Sequence, residues 1–185
     1  MLNPSIPPNL SQYVSSWILN DGTPVTIRPI LPEDEPLMVS FHESLSDRTV
    51  YMRYFCSMSF AARTAHERLV RICHSYSESE VVLVAEHKDP ETGERHILGV
   101  GRLNELRTDG EAEVAVLVSD QYQCKGLGTE LVRQLIRIAR DKKLRRLVAE
   151  MLNDNLAIQN TLRKLGFRLR LVPNDPRSVQ GVLEL

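Results

Sequence analysis

Paired cysteines are missing from this chain. Cys56, Cys73 and Cys124 form neither a CxxC pair nor an even framework, which argues for a reducing compartment. The five histidines lack ligand spacing, so no metal site is expected. There is no basic block and no interleaving of basic with aromatic residues. With 23 Lys and Arg against 24 Asp and Glu the net charge is −1, so nucleic acid and an anionic membrane surface are poor partners. A small molecule or a protein suits the chain better. The opening MLNPSIPPNLSQ has no basic n-region or apolar core, and no stretch approaches the roughly eighteen apolar residues of a membrane span. The expected location is the cytoplasm. Internal repeats and low-complexity tracts are absent as well.

What is present suits one globular domain: 185 residues, 42% hydrophobic and 25% charged. Asn3 to Asn9 carries three prolines, so residues 1–20 are expected as an arm or linker, with Tyr13, Trp17, Ile18 and Leu19 available to pack. The domain is expected over 21–185. Asp21-Gly22 marks a turn, and TPVTIRPI alternates as a half-buried strand does. Pro32 followed by Glu33, Asp34 and Glu35 reads as a helix start, because proline suits the first turn and acids favour its positive end. Helical spacing runs through Leu37, Phe41 and Leu45, restarts after Ser46-Asp47, and returns between Phe60 and Ile72.

After SYSESE the pattern turns to strands: VVLVAEH, HILGVGRLNEL and EAEVAVLVS, joined by DPETGER and RTDG turns short enough to force antiparallel neighbours. Leu127, Leu131, Leu135 and Ile138 form an apolar stripe on a helix from about Gly126 to Lys142, and RRLVAEML follows as a strand. That unit predicts a right-handed parallel crossover. A helix from Asn155 to Leu165, stopped by Gly166, and the strands FRLRLV and SVQGVLEL complete the chain. The order β-ααα-βββ-α-β-α-ββ predicts an α/β chain of the α+β type, with helices packed on a mixed sheet.

The loop QCKGLG joins a strand to the striped helix. The first N–H groups of a helix have no internal partners, and the helix dipole adds about half a positive charge there. An anion such as a pyrophosphate can approach a backbone that lacks Cβ atoms at Gly126 and Gly128, with Thr129 adding a hydroxyl and Lys125 a charge. The glycines could equally serve only a tight turn. A dinucleotide fingerprint would need glycine where Leu131 stands, and a P-loop would need its lysine after the second glycine, whereas Lys125 precedes both.

Gln123-x-x-Gly126-x-Gly128, after an apolar strand and before a helix, resembles the Arg/Gln-x-x-Gly-x-Gly/Ala signature of the GNAT superfamily of acyl-CoA-dependent N-acetyltransferases. NDNLAIQNTLRKLGFRL is similar to that family's asparagine-led helix ending in Gly-Phe. More narrowly, DGTPVTIRPILPEDEP, LSDRTVYMRYF and AEVAVLVSDQYQCKGLG resemble the GNAT domain of bacterial Pat-type protein lysine acetyltransferases. The resemblance implies a mostly antiparallel sheet of six to seven strands with helices on both faces, and acetyl-CoA as cosubstrate without a metal. It implies cofactor contacts along Gln123, Cys124, Lys125, Gly126, Leu127, Gly128 and Thr129. Backbone groups of Val116 and Val118 and the side chain of Asn155 are implied beside the pantetheine arm. Asn155 is also a natural N-cap for its own helix.

Acyl transfer to a lysine needs a base, because an ammonium of pKa about 10.4 has no lone pair. Glu113 is an acid inside a strand otherwise built for burial, so it reads either as that base or as a carboxylate paired with an arginine. In the Pat-type pattern the glutamate at this position is the base. Glu111 is the fallback, though its place beside the DG turn suggests solvent. The family's thiol-protonating tyrosine is replaced by Leu162, leaving no general acid named. Cys124 lies where a helix end lowers a thiol pKa, yet no histidine is close in sequence, so it reads as loop filler rather than an acyl carrier. Arg48, Tyr51, Arg53 and Tyr54 border the acceptor side in this fold or pack the helix, while His42, His66 and His74 read as surface or packing residues. The leading expectation is acetyl transfer to a protein lysine. Transfer to a small amine and a non-catalytic acyl-CoA sensor are the alternatives. Monomer and dimer remain equally open.

Overall fold

Alternating apolar residues place one strand after another into a single twisted sheet. The computed structural model describes residues 10–74, 79–108 and 110–185. The proline stretch Asn3–Asn9, Ser75–Glu78 of the SYSESE break and Asp109 of the RTDG turn lie outside the described residues. Eight strands are found among those described: β1 (Ser15–Ile18), β2 (Pro24–Pro29), β3 (Glu80–Lys88), β4 (Arg95–Glu105), β5 (Glu111–Val118), β6 (Arg146–Leu152), β7 (Arg168–Val172) and β8 (Asp175–Glu184). Their order is β1-β2-β3-β4-β5-β6-β8-β7. Every neighbouring pair is antiparallel except β5 with β6, which is parallel.

The strand beyond the expected six to seven is β1, inside the segment read from sequence as an arm or linker. It pairs with β2 from Ser15↔Ile27 to Ile18↔Pro24. Asp21-Gly22 is therefore the tip of a hairpin that joins β1 to β2. Gly22 has φ 90°, and the Leu19 amide donates to the Thr23 carbonyl at 2.9 Å, closing the turn. Tyr13 and Leu19 are buried, which anchors the segment.

Helices cover both faces. On one lies α5 (Leu127–Asp141), whose predicted stripe of Leu127, Leu131, Leu135 and Ile138 is fully buried. Two glycines of β4 let it come close: a Cβ at Gly99 would meet Leu127 and Leu131 at 3.1 Å, and one at Gly101 would meet Leu135 at 3.3 Å. The helix α6 (Leu156–Lys164) contacts α5 and β7. On the opposite face α1 (Glu35–Glu43), α2 (Asp47–Tyr54), α3 (Phe60–Arg63) and α4 (His66–Cys73) form a second apolar layer around Phe41, Val50 and Leu69.

The acidic run read as a helix start hides a structural centre. Asp34 is fully buried and accepts two parallel bonds from Arg28, at 2.7 and 2.8 Å, plus the Leu31 amide at 2.8 Å. Arg28 also donates to Glu86, which Arg95 reaches at 2.7 Å. The network fixes the turn before α1 onto β2 and β3. Removing one member leaves the others desolvated and unpaired, at a cost of about 3–5 kcal/mol. Asp34→Ala is expected to lower the melting temperature by about 10 °C in a calorimetric scan. An unchanged transition would show that the network adds nothing.

Candidate active site

Two strands that should run side by side come apart, and the site lies where they do. β5 and β6 pair only at Glu111↔Arg146, Ala112↔Leu147 and Glu113↔Val148. Beyond Glu113 each keeps its outer neighbour: β5 stays with β4 as far as Val118↔Gly99, and β6 with β8 as far as Leu152↔Ser178. A wedge opens between them. Backbone groups along the β6-facing edge of Val114–Val118 are thereby left for something other than a strand. The groove that results has a volume of about 980 Å³ and is lined by Val114–Val118 and Ala149–Met151, with α2, α5 and α6 around it.

The glycine loop closes one end of this groove. The Ser119 amide returns to β4, and Gln123 turns back so that its Nε2 donates to the Val118 carbonyl at 3.1 Å and to Thr49 Oγ1 at 3.0 Å. Gly126 is the N-cap of α5 with φ 91°, and a Cβ there would meet Asn20 Oδ1 at 3.3 Å. The turn alone accounts for this glycine. Gly128 has no such reason: its φ is not positive, and a Cβ would meet nothing nearer than Val118 at 3.8 Å. What its bare backbone preserves is access from the groove it lines. No side chain caps the helix, and its first internal bond at this end is Glu130 N to Gly126 O. The N–H groups of Leu127, Gly128 and Thr129 precede that bond and suit an anion.

Other loop residues are placed differently from one another. Leu127 sends its side chain into the core, so only its backbone can serve a ligand. Lys125 is held by Asp21 at 2.7 Å and lies 4.9 Å from the Tyr122 ring centre, which keeps its charge at the loop but occupied. The same contact and the Thr23 amide bring the Asp21 carboxyl down to about 2. Cys124 is exposed at φ 59°, and no histidine lines the groove with it among the described residues. Asn155 caps α6, accepting from the Ile158 amide at 3.5 Å, while also lining the groove.

Glu113 stands at the last paired position before the wedge. Side chains alternate along a strand, so Glu113, Ala115 and Leu117 point toward the α1–α4 layer, while Ala112 and Val114 point toward α5. The fallback acid, Glu111, is bound by Arg146. Glu113 has no hydrogen bond or ion pair within 4 Å among the described residues, but its charge acts on Arg53. Burial lowers Arg53 below its ordinary pKa, and the nearby Tyr54 and Glu113 oppose that fall. Arg48 and Arg53 line the groove, whereas Tyr51 and Tyr54 do not.

Three features were not found by sequence reasoning. Asp120 accepts from the Ser46 amide at 3.0 Å, Ser46 Oγ at 2.6 Å and Thr49 Oγ1 at 2.9 Å, tying the loop to the start of α2. Gln159 is buried and donates to the carbonyls of Leu152 and Asn153, fixing the end of β6. Trp17 reaches the groove rim from β1, beside Arg133. Only Ser46, ahead of an acidic first turn, carried a local signal. Among the described residues no cluster of three His, Cys, Asp or Glu is gathered for a metal, and no helix is long and apolar enough to cross a membrane.

A mixed sheet that parts beside an uncapped helix N-terminus defines an acyl-CoA-dependent N-acetyltransferase. A family model for the acetyltransferase (GNAT) domain matches residues 25–168, and the chain belongs to that family. It is 32% identical over 165 residues to Acetyltransferase PA5475 of Pseudomonas aeruginosa, covering 88% of this chain and 86% of that one. The GNAT domain of S. lividans PAT superposes with a TM-score of 0.81 at 25% identity, covering 97% of this chain and 99% of its own. PaiA N-acetyltransferase of Thermoplasma acidophilum, solved in complex with coenzyme A, shares the fold with a TM-score of 0.68 at 17% identity, over 87% of this chain and 99% of its own.

Two measurements test the site. Gly128→Val is expected to keep the melting temperature within a few degrees, because a Cβ there makes only an ordinary van der Waals contact with Val118 at 3.8 Å, and to weaken coenzyme A binding at least tenfold in a calorimetric titration. Undiminished affinity would remove Gly128 from the site. Asp120→Asn is expected to melt a few degrees lower at pH 7. Burial raises the pKa of Asp120, but the bonds from Ser46 and Thr49 outweigh it and hold the carboxyl below its ordinary value. Its stabilisation is therefore present above about pH 4 and fades as pH falls through the depressed value, so the gap between the two proteins should close in acid. A gap that persists unchanged at pH 2 contradicts this account.

Proposed function

We propose that this enzyme transfers acetyl from acetyl-CoA to the ε-amine of a protein lysine by direct attack, with Glu113 as general base. The observation that carries the reading is the place of Glu113. It is a carboxylate with no side-chain partner among the described residues, at the apex where β5 and β6 part and next to the first groove-lining residue Val114, on the face opposite α5, while its neighbour Glu111 is engaged. The amides of Leu127, Gly128 and Thr129 hold the diphosphate on the α5 side, with Thr129 and Gln123 beside them. Backbone groups of Val116 and Val118 and the amide of Asn155 align the pantetheine arm in the opening. Acetyl-CoA supplies an activated thioester carbonyl. A backbone N–H on the open edge of β5 then faces the developing oxyanion.

The acceptor arrives from the α2 side. Only about one lysine amine in several thousand is neutral at pH 7, so Glu113 takes a proton directly or through one water. The protein acceptor rests on the resemblance of DGTPVTIRPILPEDEP, LSDRTVYMRYF and AEVAVLVSDQYQCKGLG to Pat-type lysine acetyltransferases. All three cysteines are free, which suits the reducing cytoplasm as the place of action.

Glu113→Gln is expected to lower kcat/KM by about 10²- to 10⁴-fold while leaving acetyl-CoA affinity within about threefold, read by coenzyme A release and by calorimetry. Mass spectrometry of protein substrates identifies the acceptor. Full activity in the variant across pH would remove Glu113 as the base, and robust turnover of small amines without any modified lysine would overturn the acceptor.

A further inference from the structure

Beside the groove, on the α1–α4 face, lies a second cavity of about 230 Å³ that no step above uses. Its polar wall is His42, Arg53, Tyr54, Arg68 and Arg102. It adjoins the catalytic opening, because Arg53 and the β5 segment Ala115–Leu117 line both. His42 is 1% exposed, and its Nδ1 has no hydrogen-bond partner. The Arg68 Nε is likewise buried without a partner. Leaving such donors unmet in a buried wall costs free energy that a bound group can recover.

The charge balance says which group. Arg68 and Arg53 stack against the Tyr54 ring, at 5.0 and 5.2 Å from its centre, and neither has a carboxylate within 4 Å among the described residues. Arg102 is held by Glu80. Against three guanidinium groups the lining holds no carboxylate among the described residues; Glu80, bound to Arg102, and Glu113, through its field on Arg53, act from outside it. Burial, together with repulsion from Arg68 and Arg63, lowers His42 to about 4, so its imidazole is neutral at pH 7 and adds a hydrogen bond rather than a further charge. The remaining lining of Met38, Phe41, Ile72, Val82, Val100 and Leu117 is apolar. A carboxylate on a short apolar stem matches both parts.

We propose that this cavity receives the carboxylate of an acidic side chain lying within a few residues of the acceptor lysine. The inference rests on the lysine-acceptor reading above and deepens it. Glu113 and Ala115 are two positions apart on one strand face, about 7 Å, a span that two or three residues of extended peptide cover.

The test uses two lysine peptides that differ only by Glu or Gln two residues from the acceptor, with saturating acetyl-CoA. For the unaltered enzyme the Glu peptide is expected to have about tenfold higher kcat/KM, expressed mainly in KM. In Arg68→Gln the ratio should fall to within twofold of unity. Should that variant fail to fold, Arg68→Lys, which keeps charge and stem but loses the planar fork, should cut the ratio at least threefold. A ratio near one in the unaltered enzyme, or one that survives in the Arg68 variants, overturns the assignment. If neither peptide is acetylated, the lysine-acceptor reading and the proposed peptide ligand both fall. Comparing 4-aminobutyrate with butylamine as acceptors then separates a cavity that takes a small acceptor's own carboxylate from one that takes none.

Discussion

The separation of β5 from β6 after three residue pairs is the constraint on which the rest of the site depends. Each strand is locked on its outer side, β5 to β4 and β6 to β8, over seven registered positions. Neither can swing across to close the gap without surrendering those bonds. The gap therefore persists as a permanent supply of unpaired backbone polar groups in the middle of a sheet, where such groups are otherwise satisfied by a neighbouring strand. A ligand with amides along an extended arm can complete the interrupted ladder, as an added strand would.

The wedge also separates two chemistries. Glycine-opened amides and an uncapped helix lie on the α5 side, and Glu113 with its arginine neighbours on the other. The loop from Ser119 to Gln123 joins the sides, because Asp120 and Gln123 both grip Thr49 at the start of α2. Movement of the α1–α4 layer thus disturbs the loop, and the reverse holds. A carboxylate with three close donors is a compact way to enforce that coupling across residues more than seventy apart in sequence.

Much of this was legible where the signal is local. The stripe of α5, the antiparallel run β3 to β5, the parallel crossover and the loop before α5 follow from periodicity and turn chemistry within short windows. β1 escaped notice because four residues with mostly exposed side chains, Ser15 to Ile18, have little period, and Asp21-Gly22 marks a domain edge as readily as a hairpin. Asp34 looked like an ordinary helix-start acid, since its pairing with Arg28, which Glu86 of β3 shares, is visible only in three dimensions. The two glycines had one reading between them, yet Gly126 answers to backbone conformation and Gly128 to its place on the groove. Lys125 looked free to meet an anion until the hairpin brought Asp21 against it.

Leu162 shows how packing bears on chemistry. It is 1% exposed, lies within the α5-side core, and stands 3.5 Å from where a Cβ at Gly181 would be. A tyrosine at this position would either crowd β8, at an overpacking cost of about 1–3 kcal/mol, or turn outward into the groove that Leu162 also lines. No tyrosine side chain lines the groove from another element among the described residues. A thiol of pKa about 8.5 is only about 2 kcal/mol from its anion at pH 7, comparable to that packing cost. A well-filled core under α6 and departure of an unprotonated thiolate are thus energetically compatible. The demand for proton transfer then falls on the amine, whose pKa lies much further from neutrality, and in the proposed mechanism on Glu113 where the strands part.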